Sequence, residues 1–155
     1  MLAEEMGSSA NRGKLIWILA SSRPDLIEVD LKRPGRIDVK IPLFPTIEPR
    51  ESFELIRTLC KRREIILNDE DLSAVQANLP VLLTPGSAEA LAVKIYRIAK
   101  TERKSAGEAL RSSLSDYQNP VPLEVLKFQI GLAVKETSDL EFVPPAFRNL
   151  VANVL

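Results

Sequence analysis

Three guanidinium groups and four carboxyl groups fall within the nineteen-residue stretch "ASSRPDLIEVDLKRPGRID", Ala20 to Asp38. Arg23, Arg33 and Arg36 are set around Pro24, Pro34 and Gly35, directly after an all-apolar run. A guanidinium is permanently charged and presents a planar fork of donors that matches carboxylate and phosphate oxygens. Two such groups three residues apart, on a turn built from proline and glycine, could hold a polyanionic ligand or pair with Asp30 and Asp38 beside them. The rest of the side-chain inventory narrows the chemistry. The sequence has no histidine, which removes histidine general bases, Ser–His–Asp triads and most zinc sites. Cys60 is the one cysteine, so there is neither a disulfide framework nor a thiolate metal cluster, and no metal site is expected. Any reaction must use arginines, lysines, carboxylates, hydroxyls or backbone groups.

The elements around this stretch follow from periodicity. Leu15 to Ala20 is a continuous apolar run bounded by polar residues, the pattern of a strand buried on both faces in a parallel sheet. Residues 37–43 alternate, with Ile37, Val39 and Ile41 on one side and Asp38 and Lys40 on the other, as in a half-exposed strand. Between them, Asp25 to Lys32 is long enough for about two helical turns, and Ser22 with Asp25 resembles a capping box. The remainder is helical in texture: 48–63 with Phe53, Ile56, Leu59 and Cys60 on one face, 69–79, 85–104, 106–117 and 122–137. Asn68 or Asp69 and Pro122 suit helix starts, and prolines at 80, 85, 120, 144 and 145 punctuate the segments. The expected architecture is an α/β fragment over 1–45 followed by a helical bundle over 46–155. Two strands with one of them buried have nothing to bury it against. The simplest inference is that the chain belongs to the C-terminal part of something larger, with the rest of the sheet upstream.

The segment "RGKLIWILASSRPDLIEVDLKRPGRIDVKIPL" resembles the second half of an AAA+ ATPase module of the classical AAA type. The resemblance covers about residues 12 to 100. Such modules carry an apolar strand ending in a sensor-1 residue, then Arg-Pro-Asp, a short helix, an Arg-Pro-Gly-Arg-Phe-Asp motif, a last core strand and a helical lid. The resemblance therefore implies the last two strands of a P-loop NTPase-type parallel sheet, followed by a lid. It implies that Arg33 and Arg36 are arginine fingers acting in trans on the nucleotide of a neighbouring subunit. Ser22 matches the sensor-1 position, where the family usually has asparagine. Arg23 and Asp25 match positions that organise the loop. In "LTPGSAEAL", Gly86, Ser87 and Ala88 match the opening of a lid helix near the nucleotide, where small residues and a helix N-terminus permit close approach. Relatives often place a histidine in the first lid helix against adenine; Arg57 falls near that spot here.

The parent module implied by the resemblance binds ATP with Mg2+ and hydrolyses it within a ring, a hexamer, that remodels a protein substrate. This chain has no G-x-x-x-x-G-K-[ST] and no apolar strand ending in paired acids. Alone it is expected neither to bind ATP nor to be active. The rival reading is a non-catalytic helical interaction or oligomerisation module derived from such a protein.

Composition bounds the partners. The 155 residues are 45% apolar and 27% charged, with 21 basic and 21 acidic side chains, so no strong field favours nucleic acid or an anionic membrane. "MLAEEMGSS" is not a secretory signal, and no apolar run approaches the roughly 20 residues that span a bilayer. A cytoplasmic protein is expected. "KRR" at 61–63 and "KTERK" at 100–104 read as solvated helix faces, and Cys60 and Trp17 as core. The apolar tail 141–155 suits docking on the bundle or on a neighbouring subunit.

Overall fold

Proline, threonine, serine and paired acids open nearly every helix of this chain. In the computed structural model, which describes residues 2–149, the helices are α1 (Leu2–Gly7), α2 (Pro49–Lys61), α3 (Asp69–Val75), α4 (Pro85–Thr101), α5 (Ala106–Ser115), α6 (Leu123–Glu136) and α7 (Pro145–Arg148). Single 3₁₀ turns lie at Pro24–Leu26, Gln76–Asn78 and Leu140–Phe142. The chain divides into two compact units. One runs from Phe44 to Pro122; the other joins the segment ending at Leu43 to the segment beginning at Leu123.

In the Phe44–Pro122 unit, each helix start has a local cause. Pro49 sits at the first position of α2, where a missing N–H costs nothing, and the Glu51 carboxylate accepts from the N–H groups of Ile47 (2.6 Å) and Glu48 (3.2 Å). Asp71 accepts from the Asn68 N–H at 2.8 Å and closes the start of α3. Thr84 Oγ1 accepts from the Ser87 N–H at the head of α4. At α5 the box is reciprocal: the Ser105 hydroxyl accepts from the Glu108 N–H, and the Glu108 carboxylate accepts from the Ser105 N–H at 2.9 Å and hydroxyl at 2.7 Å. Those donors hold the Glu108 carboxyl below the ordinary value of 4.5.

The apolar stripes of α2, α4 and α5 meet, α4 packing on both of the others. Phe53, Ile56, Cys60, Leu83, Ile95 and Leu110 are buried completely there. A hydrogen-bonded clasp ties the entry of α2 to the loop before α4: the Thr46 N–H donates to Leu83 O (3.1 Å), the Leu82 N–H to Thr46 O (2.8 Å), and the buried Ser52 hydroxyl to Pro80 O (2.5 Å).

The end of α2 is a Schellman turn. The Ile65 N–H bonds Cys60 O (3.1 Å) and the Glu64 N–H bonds Lys61 O (3.1 Å), which puts Glu64 in the left-handed region at φ 61°. A side chain at that position carries a Cβ penalty that glycine avoids. Glu64→Gly is therefore expected to raise stability by about 0.5–1 kcal/mol, read as a higher urea midpoint with an unchanged slope.

Burial pushes the Cys60 thiol up to about 11. Its folded value lies above the ordinary 9.0, so the neutral thiol's contribution is complete below about pH 9 and is lost as pH rises through 11. The urea midpoint is expected to fall across that window, and Cys60→Ala to remove this part of the alkaline decline.

The other unit corrects the expected fold class. Among the described residues there is no β-strand, so the α/β fragment with the last two strands of a parallel sheet is not present. Leu15 to Ala20 forms no regular element, with Ile16 and Ile18 about nine-tenths exposed (92% and 90%) and Trp17 partly exposed rather than core. Val39 and Ile41 are likewise exposed. The physical reason is hydrogen bonding: a strand exists through a neighbouring strand that takes up its N–H and C=O groups, and neither run has one here. The two helical turns expected over Asp25–Lys32 shrink to the 3₁₀ turn Pro24–Leu26, because Ile27 turns extended (φ −69°, ψ 132°). No capping box forms at Ser22, since Asp25 binds Arg23 instead.

In this unit α6 packs against the Pro24–Leu26 turn and against α7, burying Leu126, Ile130, Val134 and Phe147. Of the apolar tail, Val143 and Phe147 are buried, and residues 150–155 lie outside the described residues.

Candidate functional site

The arginine turn is built by its own backbone. The Leu31 N–H bonds Glu28 O (3.0 Å), the Lys32 N–H bonds Val29 O (3.1 Å) and the Arg36 N–H bonds Arg33 O (3.2 Å). Gly35 sits at φ +86°, a conformation few other residues adopt, and its N–H donates to Asp38 Oδ1 at 2.7 Å. Pro34, Gly35 and Asp38 thus fix a turn from which two arginines leave in different states. Arg33 is 71% exposed and touches Asp30 Oδ1 at 3.5 Å. Arg36 is only 24% exposed. Its Nη1 donates to Asp30 O at 2.9 Å and to the Asp30 carboxylate, and its guanidinium lies over Gly7, where an added Cβ would stand 3.4 Å from Nε. The arrangement offers one largely solvent-exposed fork of donors, loosely paired with Asp30, and one held on the Asp30 carboxylate.

Arg23 and Asp25 pair through both ends of the fork, Nε to Oδ1 at 2.9 Å and Nη2 to Oδ2 at 2.7 Å. The Asp25 carboxyl is held below its ordinary 3.8 by that hydrogen bond. The Arg23 guanidinium also lies 5.8 Å above the centre of the Phe128 ring on α6, within cation–π range. Ser22 is exposed and makes no hydrogen bond among the described residues, so it is not brought together with Arg33 or Arg36 through any bond.

Gly86, Ser87 and Ala88 belong to the other unit, at the head of α4. Gly86 is exposed, and nothing lies within 4 Å of where its Cβ would be. Ser87 and Ala88 are buried: the Ser87 hydroxyl accepts from Thr84 Oγ1 at 3.0 Å, and the Ala88 N–H is committed to Thr84 O at 2.9 Å. Arg57 is held between Glu54 (2.7 Å) and Asp69 (3.0 Å) and lies over the Phe53 ring. Among the described residues, no group of acidic or cysteine side chains is arranged to hold a metal ion. No helix there is long and apolar enough to cross a membrane.

Comparison with curated proteins finds AAA ATPases. The chain is 32% identical to the peroxisomal ATPase PEX6 of Dictyostelium discoideum over 125 residues, 76% of this chain. It is 34% identical over 93 residues, 60% of this chain, to a protein described as the ribosome biogenesis ATPase nvl of the same organism. The chain's homologues are AAA ATPases. A third, an uncharacterized AAA domain-containing protein of Schizosaccharomyces pombe, is 28% identical over 131 residues. The matched segments make up 10%, 10% and 17% of the lengths of these AAA proteins, so the chain spans a small part of each. No family profile and no solved structure matches the chain.

Glu136, Thr137 and Ser138 bond both ends of the arginine turn from outside it, and sequence reasoning did not single them out. No local signal marks them, because they lie about a hundred positions downstream of the groups they touch.

Proposed function

We propose that this chain is the C-terminal part of an AAA+ ATPase and contributes arginine fingers in trans, a sensor-1 position and a lid to ATP hydrolysis in a ring-forming motor. Arg33, presented on a rigid turn with its fork in solvent, is the observation that carries this reading. In it, Arg33 meets the phosphate oxygens of a nucleotide held by the neighbouring subunit. Arg36 joins it by exchanging the Asp30 carboxylate for phosphate, a swap of one anionic partner for another. The nucleotide's triphosphate supplies the charge that both forks recognise, and these donors suit its oxygens. Magnesium would be held elsewhere, since the described residues offer no cluster of acidic side chains for it. In the lid, Gly86 is the accessible member of the Gly86–Ala88 trio. Ser22 would act through its hydroxyl at the position of the family's asparagine. Subunits assemble as a ring, a hexamer, and work on a protein substrate.

The test is steady-state ATP hydrolysis by the full-length protein carrying Arg33→Ala or Arg36→Ala. Loss of turnover with retained nucleotide binding supports the reading, and unchanged turnover removes it. Arg36 folded onto Asp30 and Ser22 without a hydrogen-bond partner among the described residues also suit a second reading, a non-catalytic helical interaction or oligomerisation module. That reading requires a full-length protein that binds no nucleotide.

A further inference from the structure

The arginine turn is short, and both of its ends are fastened to three consecutive residues at the exit of α6. Before the turn, the Lys32 ammonium pairs with Glu136 Oε1 at 2.9 Å, both side chains being mostly buried, at 17% and 23% exposure. After it, Lys40 is bonded through both backbone groups. Its N–H donates to Ser138 Oγ at 3.1 Å, and its carbonyl accepts from the Ser138 N–H at 3.3 Å and the Thr137 hydroxyl at 3.2 Å. The same helix meets the Pro24–Leu26 turn, where Arg23 lies over Phe128. Within the loop, Asp30 and Asp38 shape the turn, but neither fixes its place on the rest of the unit. Residues 136–138 bond it at both ends.

We propose that Glu136, Thr137 and Ser138 form a clasp that aims Arg33 and Arg36, making Glu136 and Ser138 positioning residues for the arginine fingers. The proposal rests on the finger reading above. A guanidinium contributes to phosphoryl transfer only where its fork coincides with the developing charge, and a misplacement of about 1 Å can cost about 100-fold in rate. The contacts at Lys32 and Lys40 restrain both ends of the turn, and losing either removes one restraint. The ion pair is chosen for the test because its charges can be exchanged without changing the turn itself.

The experiment is ATP turnover by the full-length protein bearing Lys32→Glu, Glu136→Lys, the double exchange, Ser138→Ala or Ser138→Thr, with the folded fraction measured by circular dichroism at the assay temperature. Each single charge reversal is expected to lower kcat about tenfold or more with little change in KM for ATP and an unchanged folded fraction. The double exchange is expected to recover most of the loss. Ser138→Ala, the mildest variant, is expected to lower kcat, with Ser138→Thr retaining it. Unchanged kcat in the single variants, or a kcat loss that tracks loss of folded protein, overturns the clasp. If Arg36→Ala abolishes turnover while these variants do not affect it, the clasp alone fails. If Arg36→Ala itself leaves turnover intact, the finger reading fails and the clasp falls with it.

Discussion

Arg36→Ala in the full-length protein is expected to lower ATP turnover by about 10³-fold or more while the Kd for ATP stays within a few-fold of wild type. The asymmetry follows from where the charge acts. Phosphoryl transfer involves little covalent chemistry by the protein, so a fork of donors placed on the transferring group stabilises the transition state more than the ground state. Arg36→Lys is expected to restore little, because an ammonium cannot make the paired contacts of a guanidinium. The folded state should tolerate the change: what is lost is the bond to Asp30, a partly exposed carboxylate that water can solvate once its partner is gone. The measurement is a pair of titrations, turnover and nucleotide affinity, on the same preparation. A parallel loss of both would mean that Arg36 holds nucleotide in the ground state instead.

The second large effect concerns stability. Phe53→Ala is expected to cost about 3–5 kcal/mol, much of the roughly 5–15 kcal/mol that holds a domain folded. Phe53 is wholly buried at the meeting of α2 and α4, and its ring carries the Arg57 guanidinium 5.7 Å from its centre. Truncation removes the ring's burial, leaves a cavity in the core cluster it shares with Ile56, Leu83 and Ile95, and takes the platform from under Arg57. Urea unfolding should show a lower midpoint with little change in slope, and Ile95→Val, at about 0.5–1.5 kcal/mol, is the small-cavity control. A cost near 1 kcal/mol for Phe53→Ala would mean the site collapses around the gap.

The helices α2 to α6 were legible in the sequence because two independent local signals coincide in most of them. In α4, Pro85 follows the capping Thr84, and Ala88, Leu91, Ala92, Ile95 and Ile98 then recur at helical spacing. Both signals act within a turn or two, so no distant partner is needed to realise them. The strands failed for the converse reason. Six apolar residues from Leu15 carry no information about whether a neighbouring strand exists to pair with them, and among the described residues none does. The short helix α1 was missed because "LAEEMG" is too brief for a period, although Met6 is buried.

The site divides along the same line. Arg33, Arg36, Pro34 and Gly35 could be picked out because a turn with φ +86° at its glycine is specified by adjacent residues. Of the neighbouring Asp30 and Asp38, visible by spacing as partners for the arginines, Asp30 pairs with both, whereas Asp38 accepts from the Gly35 N–H. What periodicity could not supply was burial: Ser87 and Ala88 look available as small residues at a helix start, yet the cap that starts the helix turns them inward. Nor could it supply the clasp, since Lys40 and Ser138 are 98 residues apart.

The central claim, that Arg33 and Arg36 serve a nucleotide held by a neighbouring subunit, is tested most directly by complementation. One full-length variant carries Arg33→Ala with Arg36→Ala and keeps its own nucleotide site; a second keeps both arginines but is disabled in nucleotide binding outside this segment. Each is expected to be inactive alone. Mixed and allowed to co-assemble, they are expected to regain ATP turnover, because the arginines of the second complete the site of the first. Co-assembly without any recovery of turnover would contradict the account.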